Sequence, residues 1–218
     1  MAAEQTHKTT SDAFVKALVV VLVVVILVGF FTGPSPRPHS SAVKSGLMQT
    51  SRAIALSLFV YSSDHDGRYP EGKTSTEVFQ HLIDEKYVTD PTIFYVGYGH
   101  LFPTKLRPSS NVLKPENVCW DVTYGVDSSS PDSVPVVFLT GYKVTFQPNA
   151  AALPIAQSLT RSWSEWWNGI SSDQIKGIAV ATKGNYARWI NADEDGSIPN
   201  FIPADFDPKG KTYRQLTP

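Results

Sequence analysis

The chain has 218 residues, a net charge of −1 at pH 7 and a single cysteine, Cys119. That near-neutral balance gives no electrostatic basis for holding nucleic acid, and one cysteine excludes an internal disulfide framework or a cysteine-based metal site. The length suffices for one domain with a sizeable core.

Residues 17–31, ALVVVLVVVILVGFF, carry no charge. A helix over 13–33 would be about 30 Å long and would match a bilayer's hydrocarbon core, with Lys16 reaching back to the headgroups. The spacing therefore predicts a cytoplasmic tail over 1–12 and a single transmembrane helix over 13–33. Leu18, Val21, Val25 and Val28 belong to this expected membrane anchor. A cleaved secretory signal is the alternative, but Phe30, Phe31 and Pro34 crowd the cleavage position where small residues are needed. The short tail points to a domain outside the cytoplasmic membrane.

Residues 34–40 contain three prolines and form the expected linker. From 41 to 218 the chain reads as one globular domain. A long amphipathic helix starts at Ser41: Val43, Leu47, Ile54, Leu58 and Tyr61 recur at helical spacing, with Ala55, Phe59 and Val60 widening the apolar stripe. It is expected to end at Ser62-Ser63-Asp64-His65-Asp66-Gly67, Gly67 being available for a left-handed conformation, and Asp64-His65-Asp66-Gly67 reads as a turn. A second helix is predicted over 75–86, where Thr74 and Glu77 have capping-box spacing.

Residues 87–117, rich in Tyr, Pro and Gly, read as loops and short turns. Strands are predicted over 117–124, 135–139 and 142–146, the last two meeting near Thr140-Gly141. Residues 149–173 form a less defined insertion. It contains Trp163, Trp166 and Trp167, which share one face if helical: either buried packing or an exposed platform for a sugar or protein partner. A hairpin follows, with strands at 175–182 and 186–190 about a Lys183-Gly184-Asn185 turn. The tail from Asn191 reads as acidic and irregular.

Two stretches carry a family resemblance. Residues 52–70, RAIALSLFVYSSDHDGRYP, resemble the end of the long helix in type IV pilins and type II secretion pseudopilins. Residues 177–190, GIAVATKGNYARWI, resemble that group's late hairpin. The prepilin glycine and glutamate are missing: Ala13 precedes Phe14, and Leu18 stands where the glutamate would be. The fold class this implies is α+β: an N-terminal transmembrane helix, then a pilin-like domain whose long amphipathic helix packs on a small antiparallel sheet. The function it implies is non-enzymatic: a structural or assembly protein of a secretion or pilus-like machine, single-pass in the inner membrane. Its partners would be the membrane and envelope proteins or further copies of itself. The competing expectation is a membrane-tethered module binding a glycan or protein through exposed aromatics.

Asn191-Ala192-Asp193-Glu194-Asp195-Gly196 has the N-x-D-x-D-G spacing of the first half of a calcium loop, which sets alternate oxygens round a cation. Ile202 occupies the twelfth position, so an EF-hand is excluded. The resemblance adds a calcium site after the late strands, with Asn191, Asp193 and Asp195 as metal ligands and Asp205 or Asp207 as additions; a solvated acidic turn is the favoured alternative. No other cofactor is indicated. No H-E-x-x-H, G-x-S-x-G or phosphate loop occurs, so no catalytic set is expected.

Overall fold

A computed structural model describes residues 18–22, 40–97, 102, 104–155, 176–208 and 210–218. The chain divides into two compact units, residues 1–37 and 38–218. In the first, residues 18–22 are helical and their side chains, Leu18 and Val21 among them, are exposed. Among the described residues no helix is long and apolar enough to cross a membrane. This corrects the expected architecture, in which a helix over 13–33 spans the roughly 30 Å of a bilayer core. Residues 13–17 and 23–33 of that expectation, Val25 and Val28 included, lie outside the described residues, as do 34–39 of the expected linker.

The second unit is α+β. Helix α1, Ser40–Asp64, has the length of a membrane span but not its composition. Val43, Leu47, Ile54, Ala55 and Leu58 are buried along one side, while Lys44, Arg52, Asp64 and several serines interrupt the rest. Its last turn closes where Gly67, at φ +79°, donates its N–H to the Ser62 carbonyl at 2.7 Å.

Helix α2, Ser75–Asp84, is capped by Thr74, whose side chain accepts from the Glu77 N–H. Glu77 Oε2 reaches back one residue further than a strict capping box, to the Lys73 N–H at 2.7 Å. Two short 3₁₀ turns, Pro91–Phe94 and Pro115–Asn117, lie in the long connection that follows.

Five strands form one antiparallel sheet: β1 Trp120–Tyr124, β2 Pro135–Leu139, β5 Gly177–Thr182, β6 Ala187–Asn191 and β7 Arg214–Leu216, in the order β6-β5-β2-β1-β7. A separate pair joins β3, Tyr142–Lys143, to β4, Leu153–Pro154. Residues 142–146 thus do not return along β2: only two of them are in a strand, and that strand pairs with β4.

The register sorts the side chains into two faces, because alternate residues of a strand point to opposite sides. Trp120, Val122, Val137, Leu139, Ala179, Ala181, Trp189 and Leu216 fall on one face by their pairings. This is the face under α1: Lys44 Nζ lies 5.3 Å from the Trp189 ring centroid. The small Ala179 and Ala181 let the helix approach closely. Asp121, Phe138, Val180 and Arg188 fall on the other face, where Phe138 meets Phe201 edge-on with ring centroids 5.2 Å apart. Both faces of the central strands are covered, one by α1 and the other by the chain near Ile198–Phe206. This explains the unbroken burial of β2 and nearly all of β5.

Candidate interaction surface

Polar contacts fix how α1 lies on the hairpin. Lys44 Nζ donates to Asn191 Oδ1 at 3.4 Å, at the end of β6, and Arg52 Nε donates to Asn185 Oδ1 at 3.3 Å, in the turn. Eight residues of helix rise about 12 Å, so the first half of α1 spans the hairpin lengthwise.

The outward side of α1 follows from that docking. Ala42, Gln49, Ala53, Leu56, Phe59 and Val60 are all exposed there. Leu56 is 46%, Phe59 50% and Val60 43% accessible, a contiguous apolar group at i, i+3 and i+4. Arg52 and Asp64 are the only charged residues of α1 that are exposed. Arg52 is turned to the hairpin, and Asp64 accepts a hydrogen bond from Tyr87 Oη at 2.8 Å. A helix side facing water ordinarily carries charge, so this face has the composition of a contact surface.

This revises the sequence reading of α1. Phe59 and Val60 do not widen the buried stripe; only Ala55 does. At about 100° per residue, positions 59 and 60 fall on either side of the pole opposite the stripe set by Ile54, Leu58 and Ser62.

The C-terminal end of α1 is held by a ring cluster. Tyr61 and His65 stack with centroids 3.8 Å apart, and Tyr87 meets Tyr61 edge-on at 5.3 Å. His65 Nδ1 donates to the Tyr61 carbonyl at 2.8 Å, and Nε2 lies 3.2 Å from Glu85 Oε2. Hydrogen bonding to Asp64 pushes the Tyr87 phenol up to about 12. The Asp64–Gly67 segment is therefore a turn in which Asp64 and His65 are engaged by their neighbours.

Asn191, Asp193 and Asp195 line a turn that closes on itself. Asp195 Oδ1 accepts from the Ser197 N–H at 2.8 Å, which holds its carboxyl below the usual range. Asp193 contributes its backbone, accepting from Gly196 and donating to Ser197. Asn191 Oδ1 already accepts from Lys44 Nζ and from Trp189 Nε1, the latter at 3.0 Å. Among the described residues no group of three or more His, Cys, Asp or Glu side chains is placed to hold a metal ion. Asp205 and Asp207 are exposed, further along the chain. Trp163, Trp166 and Trp167 lie outside the described residues.

Sequence reading missed a buried carboxyl. Asp121, in mid-β1, is fully buried. Its Oδ2 accepts from Gln215 Nε2 at 2.5 Å, while Oδ1 has no hydrogen-bond partner among the described residues. Burial pushes this carboxyl up to about 6, against the opposing influence of Gln215, Thr140 and Lys105. The signal was an acid inside the apolar run Val118-Cys119-Trp120-Asp121-Val122. Cys119 is itself buried, its Sγ accepting from the Val96 N–H at 3.4 Å, and desolvation pushes its thiol up to about 11. A thiol so raised is a weak nucleophile, as expected of a core residue.

Compared with known proteins, the chain matches no family model, no curated protein and no solved structure.

Proposed function

We propose that this chain is a non-enzymatic, pseudopilin-like assembly protein, and that it joins other protein subunits of a secretion or pilus-like machine of the cell envelope through the outward face of α1. The observation that carries this reading is the exposed Leu56, Phe59 and Val60 group on a 25-residue helix whose opposite side is fully committed to the sheet. Such a helix is rigidly held and presents an uncharged strip, which suits helix-to-helix packing. The envelope setting comes from the resemblance of residues 52–70 and 177–190 to that group.

Site-specific photocross-linking in cells tests it. A photoreactive residue at Phe59 or Leu56 should yield a discrete adduct whose partner is a further copy or an envelope-machine subunit, identified by mass. The same probe at Val112, which is 66% accessible and far along the chain from α1, is the control. The double variant Leu56→Glu/Val60→Glu should abolish the adduct formed from Phe59 while leaving stability within about 0.5 kcal/mol, since surface substitutions seldom do more. Adducts at Phe59 no stronger than at Val112 would sink the proposal.

A further inference from the structure

Among the described residues, the edge of β6 away from β5 has no partner strand and is the second surface with an unmet need. β6 ends the sheet order, and its five residues pair with β5 without a bulge. Two flanking bonds set the parity of the ladder: Thr182 N–H donates to the Tyr186 carbonyl at 2.9 Å, and Ala192 N–H donates to the Lys176 carbonyl at 3.3 Å. In an antiparallel pair the bonded positions alternate, so Arg188 and Ile190 face β5 with their peptide groups. Ala187, Trp189 and Asn191 therefore turn N–H and C=O outward, and no other described backbone group bonds them.

The bulky side chains of β6 fold away from that edge. A Cβ on Gly177 would lie 2.7 Å from Trp189 Nε1, so the indole reaches back over β5, with Lys44 above it. Arg188 Nη2 donates to the Phe201 carbonyl at 3.4 Å on the opposite face. Edge strands of soluble sheets are ordinarily blunted by proline, bulges, or charges directed along the edge. β6 has no proline and no bulge, and its one charge is turned inward.

We propose that two copies of this chain pair antiparallel through β6, with Trp189 on the two-fold axis, so that their sheets become one. The pattern is self-complementary. With Trp189 opposite its own copy, Ala187 stands opposite Asn191 of the other chain, and each of these outward pairs can exchange two hydrogen bonds. Arg188 then stands opposite Ile190, so the two arginines do not confront each other. This contact uses neither Leu56, Phe59 nor Val60, and it stands or falls separately from the α1 reading.

Mixed disulfide trapping of the full chain in mild detergent tests both pairing and register. Ala187→Cys and Asn191→Cys chains, each confirmed as folded by its thermal melt, are oxidised alone and mixed. The mixture should shift to a disulfide-linked dimer while either variant alone stays monomeric, because 187 meets 191 and never 187. Buried Cys119 takes no part in the native state. No dimer in the mixture, or equal linking in the single variants, would overturn the proposal. Sedimentation of the unmodified chain is the second measurement: a dimer that persists in Leu56→Glu/Val60→Glu but is lost in Ala187→Pro supports it, and a monomer at high micromolar concentration refutes it.

Discussion

Gln215 Nε2 bridges Asp121 Oδ2, at 2.5 Å, and the Tyr142 carbonyl, at 2.6 Å, while Gln215 Oε1 accepts from the Val144 N–H at 2.9 Å. One side chain from β7 thus ties the sheet to the start of the β3–β4 pair. It also holds one oxygen of a fully buried carboxyl.

The pH dependence follows from that burial. Asp121 has its folded pKa raised to about 6, above the roughly 3.9 of an unfolded aspartate. The folded state therefore binds the proton more tightly. Its contribution to stability is fully present below about pH 4 and is lost as pH rises through 6. Relative to Asp121→Asn, the native protein should lose about 1–3 kcal/mol between pH 4 and pH 7.5. Parallel urea titrations of the two proteins across that range measure it. A flat difference would refute the assignment.

Glycine is required at Gly125 for two reasons. Its φ is +87°, and a Cβ there would sit 2.5 Å from the Thr212 carbonyl oxygen, a backbone atom that cannot swing aside. Gly125→Ala should cost about 2–4 kcal/mol. Gly210 has φ +73° but open space around a Cβ, so Gly210→Ala should cost only about 1 kcal/mol. Equal losses for the two in thermal melts would contradict the steric account.

Phe79 of α2 and Phe94 are fully buried and stacked, with centroids 4.5 Å apart. Phe79→Ala removes the ring that seats α2 against the long connection, at an expected cost of about 3–5 kcal/mol. Phe79→Leu, closer in volume, should cost less. Chemical denaturation distinguishes them.

Lys44 over Trp189 joins the first turns of α1 to β6. Lys44→Ala should lower stability by about 0.5–1 kcal/mol, and Lys44→Arg should retain most of it, since a guanidinium can also sit over the ring. A loss equal for both would point to the Asn191 hydrogen bond instead of the ring.

Much of the second unit was legible from local pattern. α1 and α2 have unambiguous helical spacing and end signals, and both were placed to within two residues. The late hairpin was legible from alternation and the Gly184-Asn185 turn, with Asn185 at φ +59°. β7 was not: Arg214-Gln215-Leu216 has no period, and it becomes a strand only because β1 offers it an edge. The outward turn of Phe59 and Val60 was misread because an apolar residue announces burial whether or not a neighbour exists to bury it. Asp121 was passed over because alternation suggests one solvated face for β1, whereas Gln215 and the start of the β3–β4 pair lie at its carboxyl and both faces of β1 are buried there.

Residue order alone dictates the helices, the hairpin, the near-neutral charge and the single thiol, since each depends on spacing or composition within a short window. The sheet order, the two covered faces, the exposed strip on α1 and the place of β6 at the end of the described sheet are set only in the folded chain. They depend on which distant segments meet, and that is decided by packing area and hydrogen bonds between residues up to 147 positions apart, as Lys44 and Asn191 are.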